Sequence, residues 1–336
     1  MLELTTANAL DFLRDKGWLP PGPAQVELLG GGVSNVVLRV QTPNQRMVLK
    51  QARPQLRTRD PWFSDLDRVN REQEVMQALF PLLPALTVPE ILYTDRENYV
   101  FAMTHAPAEA KVWKTTLLTG QVDIAVGKQA GLTLGQIHER TARNPNMVDQ
   151  VRDRTVFVQL RVEPFYQRIQ ERRPEVARAV EGIVAGMMST HQALCHGDYS
   201  PKNILVHEKG FTLVDYETAH YGDPAMDLGF FLSHLLLKAI KLPALREKFA
   251  ELTRAFWQAY APVVAFCPVH ELQARAIAHC AVCALARIDG TSPVDYLPEE
   301  RRREAVRRLG RRVLWESPPC WEDVLALCEE EWTCPG

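Results

Sequence analysis

Apolar and polar positions alternate with a period of two through most of the first hundred residues, and with a helical period through most of the rest. Ala24 to Leu29 reads as a strand, and Gly30, Gly31 and Gly32 as a glycine-rich turn. Val36, Leu38 and Val40, interleaved with Val37 and Arg39, read as a half-buried second strand. Thr42, Pro43, Asn44 and Gln45 supply a turn, and Met47 to Lys50 predicts a third strand. Arg53 to Trp62, with its prolines and charges, reads as a loop. Asp67 to Leu79 has helical spacing, with Val69, Val75, Met76 and Leu79 as candidate core contacts. Val88 to Leu92 and Tyr99 to Met103 predict two more strands around a polar turn at Asp95 to Asn98.

Beyond Met103 the pattern changes to long helices at Val122 to Arg140, Phe157 to Arg172 and Glu175 to Thr190, and again from Leu228 onward. His105, Ala106, Pro107 and Ala108 mark the natural boundary, dividing the chain into residues 1–104 and 105–336. The expected architecture is therefore α+β and two-lobed: a small antiparallel sheet, then a larger, mostly helical part.

Composition narrows the setting. The chain has 336 residues, 46% hydrophobic and 24% charged, with a net charge of -2. It lacks the basic field that a nucleic-acid partner calls for. Met1 to Asp15 has no long apolar core of a signal peptide, and no apolar run approaches 18 residues, so no membrane partner is expected. Seven cysteines, an odd number, read as reduced thiols in a cytoplasmic protein. Cys280 and Cys283 form a CxxC beside His279 inside an apolar helical stretch; core packing is the expectation, zinc or redox chemistry the alternative. The sequence leaves the oligomeric state open.

The chemistry concentrates in LCHGDYSPKNILVHEKGFTLVD, from Leu194 to Asp215. Ile204 to Val206, a turn at His207 to Gly210, and Phe211 to Val214 predict a hairpin. Asp198 and Asn203 lie on the loop entering it, and Asp215 on the loop leaving it. A hairpin joins its two ends, so three oxygen-bearing side chains converge. Phosphoryl transfer needs such a set: one carboxylate to orient a hydroxyl and take its proton, and further oxygens to hold magnesium against phosphates. Asp198 suits the first task, and Asn203 and Asp215 the second. His196 is placed to hold the loop.

The run from His196 to Asn203 fits HxDxxxxN, and HGDYSPKN followed by VDYE resembles the aminoglycoside phosphotransferase and choline kinase superfamily of the protein-kinase-like fold. GGGVSN at Gly30 to Asn35, VLK at Val48 to Lys50, RE at Arg71 and Glu72, LGQIH at Leu134 to His138 and GDPAMDLG at Gly222 to Gly229 follow in matching order, over about residues 25 to 230. The resemblance implies ATP and Mg2+ as cofactors and a hydroxyl-bearing small molecule as acceptor: a sugar, aminosugar or amino alcohol. By the same resemblance, Gly30, Gly31, Gly32, Ser34 and Asn35 cover the phosphates, and Lys50 contacts them while pairing with Glu72 rather than Glu74. Backbone groups at Thr104, His105 and Ala106 meet the adenine.

Other positions carry two readings each. Asp227 is a helix N-cap or a buried carboxylate under the loop. Glu217 approaches metal or substrate, or is only hydrogen-bonded. His138 reads as core or lobe packing, Trp113 and Lys114 as candidates to reach substrate, and the basic run Arg301 to Arg312 as a solvated helix face rather than a nucleic-acid contact. Asp223, Glu217, Asp289 and Asp295 form an acidic pocket for an aminated acceptor, or cap helices and pair with arginines; Arg287 is the candidate for an anionic group. Two other functions compete. A protein kinase needs a peptide platform, but no APE motif lies between Asp215 and Asp227. A nucleotide-binding pseudokinase acting as a regulatory module sits badly with the retention of Lys50, Asp198, Asn203 and Asp215.

Overall fold

The computed structural model describes residues 2–30, 34–55, 64–142, 144 and 151–333. Five strands, β1 (Gln25–Leu28), β2 (Asn35–Gln41), β3 (Arg46–Ala52), β4 (Ile91–Asp95) and β5 (Val100–Thr104), form one antiparallel sheet in the order β1-β2-β3-β5-β4. Helix α1 (Ala9–Asp15) packs Phe12 and Leu13 against Val36, Leu38, Val40, Met47 and Leu49 on one face. Burying each such side chain contributes about 1.5–3 kcal/mol. Helix α2 (Arg68–Leu79) buries Val69, Val75, Met76 and Leu79 with Val48, Ala52, Phe101 and Met103 on the other face. Successive strand residues point to opposite faces, so Lys50, two positions from Val48, shares the face that α2 covers. The fourth strand begins at Ile91 rather than Val88: Pro89 has no N–H to give a ladder.

After Thr104 the chain is mostly helical. In chain order the longer helices are α3 (Trp113–Leu118), α4 (Ile124–Ala142), α5, α6 (Ala177–Ser189), α7 (Pro224–Lys241), α8 (Arg246–Tyr260), α9 (Val269–Asp289), α10 (Glu300–Glu316) and α11 (Trp321–Thr333). Helix α5 joins Thr155–Phe157, a π-helix at Val158–Gln167, and Arg168–Arg172. Helix α7 is the central strut, buried along nearly its whole length, with Phe231 stacked on Phe256 at 4.2 Å. Gly127, Gly131 and Gly135 recur every fourth residue on α4 and let α8 approach. A Cβ on Gly131 would lie 2.1 Å from the Phe256 carbonyl oxygen.

Three short strand pairings serve the loop region. The hairpin β8 (Ile204–His207) and β9 (Gly210–Leu213) pairs with β6 (Lys111–Val112), and β7 (Ala193–Cys195) pairs with β10 (His220–Gly222). This is a two-lobed, protein-kinase-like α+β fold. Cys280 and Cys283 are buried in α9, where burial pushes both thiols up. Among the described residues, no single helix is long and apolar enough to cross a membrane.

Candidate active site

The pairing of β7 with β10 brings the start of the HGDYSPKN loop beside the chain that leaves the hairpin. Gly197 crosses closest: its φ is +75°, and a Cβ there would lie 2.5 Å from the Thr218 carbonyl oxygen. Only glycine takes that position without strain. Beneath the loop, Asp227 accepts the backbone N–H groups of His196 at 2.6 Å and Gly197 at 2.8 Å. Burial would raise the Asp227 pKa, but His138, His196 and these bonds hold it below the ordinary range. The N-cap of α7 is Asp223, whose carboxylate accepts from Ala225, with Pro224 in the first turn. Asp227 sits inside that first turn. His138 bridges Asp227 at 3.3 Å and the Tyr260 hydroxyl at 2.8 Å.

His196 accepts the Asp198 N–H at Nδ1, 3.2 Å away, and packs on Tyr216 at 4.6 Å. Its burial lowers the imidazole pKa, so it is a neutral brace. Asp198 then presents its carboxylate to Arg161 (2.9 Å), to the Asn203 amide (2.9 Å) and to Lys202 (3.6 Å). Burial acts to raise the Asp198 pKa, but Arg161 and Lys202 outweigh it, and the carboxyl is held below its usual range. The Asn203 Nδ2 also donates to the Asp198 carbonyl oxygen at 3.0 Å. Its Oδ1 is therefore the atom left to face a cation.

Asp215, at the far end of the hairpin, has φ +73°, a left-handed conformation uncommon for a side-chain-bearing residue and often found where function constrains the backbone. Its Oδ1 lies 2.6 Å from Lys50 Nζ, and Lys50 lies 2.6 Å from Glu72. Glu72 also accepts the Tyr216 N–H at 3.1 Å. Burial disfavours charge on all three. Asp215, Glu72 and Glu217 nevertheless hold Lys50 above the ordinary lysine value, and Lys50 and Lys202 hold Asp215 well below the usual carboxylate range. Lys202 is within 3.8 Å of Asp215 as well as near Asp198, so one ammonium stands between the two hairpin ends.

The remaining predicted residues divide. Gly31 and Gly32 lie outside the described residues, while Gly30 precedes them in a turn. Ser34 and Asn35 turn their side chains to Glu217, at 2.7 and 2.8 Å, and Arg68 reaches the same carboxylate at 3.3 Å. Glu217 is thus hydrogen-bonded across to the loop that precedes β2. Thr104 ends β5 against Glu90, and His105 Nδ1 bonds the Ala106 carbonyl. Glu74 pairs with Arg96 on the surface. Trp113 is core, 5.8 Å from Phe231.

The acidic pocket does not form. Asp223 pairs with Arg275, Asp289 with Arg173 and Arg307, and Asp295 is exposed. The arginines of α10 pair with Asp289, Glu316 and Glu331. Sequence reasoning missed Arg161 and Lys202. Lys202 was within reach, one helical turn's spacing beyond Asp198 in the same motif. Arg161 lies far upstream on the π-helix, where its side chain also donates to the Gly197 carbonyl at 2.7 Å.

Ionised carboxylates and amide oxygens gathered around lysines on a two-lobed scaffold define a phosphotransferase of the kinase-like class. The profile of the phosphotransferase enzyme family matches residues 25–266, and the chain belongs to that family. Methylthioribose kinase of Pectobacterium carotovorum is 27% identical over 297 residues, covering 76% of this chain and 73% of that protein. The Exiguobacterium sibiricum methylthioribose kinase is 24% identical over 294 residues, covering 76% and 72%. Among solved structures, macrolide 2'-phosphotransferase MphH from Brachybacterium faecium shares the fold with a TM-score of 0.53 and 17% identity, over 98% of this chain and 99% of that one. This protein is a small-molecule kinase, transferring a phosphoryl group to an alcohol.

Proposed function

We propose that the chain transfers the γ-phosphoryl group of ATP to a hydroxyl of a sugar-type small molecule in the cytoplasm, with Asp198 as the base. The observation that carries this reading is the Asp198 carboxylate, held ionised by Arg161 and Lys202 and turned to 3.6 Å from the lysine that also reaches Asp215. Residues 1–104 act as the nucleotide lobe and 105–336 as the catalytic and acceptor lobe. Lys50, fixed between Glu72 and Asp215, meets the α and β phosphates. The turn at Gly30, Gly31 and Gly32, with the backbone at Ser34 and Asn35, covers them, and the backbone at Thr104, His105 and Ala106 meets the adenine.

The donor set fits a hard cation: Asp215 is ionised and Asn203 keeps its Oδ1 free of the Asp198 contacts. Asn203 and Asp215 would hold a magnesium ion there, and it would neutralise phosphate charge. Asp198 aligns the acceptor hydroxyl and receives its proton late, as charge develops on the attacking oxygen. In a loose transition state, positioning and electrostatics dominate over deep proton abstraction. An aminosugar or amino alcohol is less well served, because Glu217, Asp223 and Asp289 are paired with arginines and Asp295 is exposed beside Lys114. ADP release, measured with ATP and Mg2+ across a panel of hydroxylated compounds, tests this function. Acceptor-dependent release supports it; ADP at the acceptor-free rate with every compound overturns it.

A further inference from the structure

On the Arg161 side of Asp198, two lysines share the Tyr296 ring and Arg287 stands nearby, with little negative charge to balance them. Lys238 on α7 is 1% exposed, yet its ammonium donates to a carbonyl of its own helix, that of His234, at 3.1 Å. Among the described residues no carboxylate lies within ion-pair distance of it. The ammonium sits 5.5 Å from the centre of the Tyr296 ring, and Lys114 sits 5.6 Å from the same ring. Lys114 is seated on the catalytic loop through its backbone N–H, 2.8 Å from the Pro201 carbonyl oxygen. Its one carboxylate neighbour is the exposed Asp295, at 3.6 Å. Arg287 on α9 donates to the Ser292 carbonyl at 2.6 Å, and its Nε is buried without a partner, as is the Tyr296 hydroxyl. Arg287 and Arg161 flank the Phe165 ring, at 5.9 and 5.6 Å, which brings the group up to Asp198.

Several other buried charges in this molecule are matched by opposite charges, although Arg154 is held by backbone carbonyls. Asp289 faces Arg173 and Arg307, Asp223 faces Arg275, and Lys50 faces Glu72 and Asp215. A buried, unpaired ammonium costs several kcal/mol. Burial, Lys114 and Arg287 together push the Lys238 pKa down to about 7. A cluster of basic side chains beside Asp198, with unpartnered donors around it, is suited to receive an anion, whose arrival would favour the charged form of Lys238.

We infer that Lys238, Arg287, Lys114 and the Tyr296 hydroxyl form the acceptor subsite, and that the acceptor is a small polyhydroxy compound carrying an anionic oxygen group, a carboxylate or a phosphate monoester. The inference rests on the phosphotransfer reading and narrows its substrate. The test pairs calorimetric binding to the full chain with ADP-release kinetics. Five probes serve: ribose and methylthioribose as neutral compounds, glucosamine as a cation, ribonate as a carboxylate and ribose 5-phosphate as a phosphate. At least one anionic probe is expected to bind tenfold or more tighter than the neutral and cationic ones and to show the highest kcat/KM, and its identity separates carboxylate from phosphate. Lys238→Met raises the KM for that probe tenfold or more and leaves the KM for ATP unchanged; the partly exposed Lys114→Gln provides a smaller shift in the same direction if Lys238→Met does not fold. Anion binding without ADP release leaves the subsite standing and removes the phosphotransfer reading. Acceptor-dependent release that favours a neutral or cationic probe, or no anion binding at all, overturns the subsite.

Discussion

The two ends of the β8–β9 hairpin carry carboxylates in the same electrostatic state, held there by different halves of the molecule. Asp198 is braced by Arg161 from α5, by Asn203, and by a loop whose amides rest on Asp227. Asp215 is braced by Lys50 on β3, and through it by Glu72 on α2. The first arrangement lies within the helical part; the second reaches across to the sheet. If Asp198 is the base and Asp215 holds the cation, the first is insulated from displacements of the sheet and the second depends on them. Lys202, half exposed between the two, is the direct electrostatic link.

The comparison breaks most sharply at Asp198. Asp198→Asn keeps the shape and removes the negative charge, so kcat is expected to fall by on the order of 10²-fold or more. The thermal stabilisation given by ATP and Mg2+ should persist, because the Asp215 side is intact. Turnover at the wild-type rate would show that Asp198 is not the base. Asp215→Asn should do the reverse: the Mg2+ concentration for half-maximal activity rises roughly tenfold, and nucleotide stabilisation weakens with it. An unchanged magnesium titration would place the cation elsewhere.

The smallest effect sharpens the comparison. Arg161 is a positioning residue that also lowers the Asp198 pKa. A carboxylate with a depressed pKa stays ionised until the pH falls through that value. Removing the cation with Arg161→Gln raises the Asp198 pKa toward the ordinary range, so the acidic limb of kcat/KM moves to higher pH. At pH 7 the plateau should change by less than roughly tenfold, since Lys202 and Asn203 remain. A pH profile superimposable on wild type would reduce Arg161 to a loop support.

How much of this was legible in the sequence follows from the range of each interaction. The sheet, α2 and the hairpin were readable because their signals are local: alternation in β2 and β3, helical spacing at Val69 to Leu79, and a turn at His207 to Gly210. The pairing of Lys50 with Glu72 comes from the family resemblance; alternation alone leaves Lys50 as a charge at a strand end. Of the two readings of Asp227, the buried carboxylate under the loop holds and the helix cap does not, because Pro224 marks the first helical turn and so points to Asp223. The acidic residues dispersed because Glu217, Asp223 and Asp289 each found an arginine from a distant segment, while Asp295 stayed exposed, tertiary outcomes that composition does not encode. Arg161 was unreadable for a further reason: the π-helix does not keep the 3.6-residue period by which a sequence assigns faces.

That π-helix also limits how the chain can change length. Residues 158–167 carry a wider turn than an α-helix, with Pro164 inside it and the Pro164 carbonyl accepting from Thr291 at 3.2 Å. Upstream it aims Arg161 at Gly197 and Asp198; downstream it seats Tyr166 and Ile169 in the core with Val282 and Cys283. Deleting one residue between those two anchors would rotate one relative to the other about the helix axis. One anchor would then be kept and the other turned away. Insertions and deletions that surface loops absorb are thus closed to this segment, and in descendants of this gene α5 should drift in composition while its residue count stays fixed.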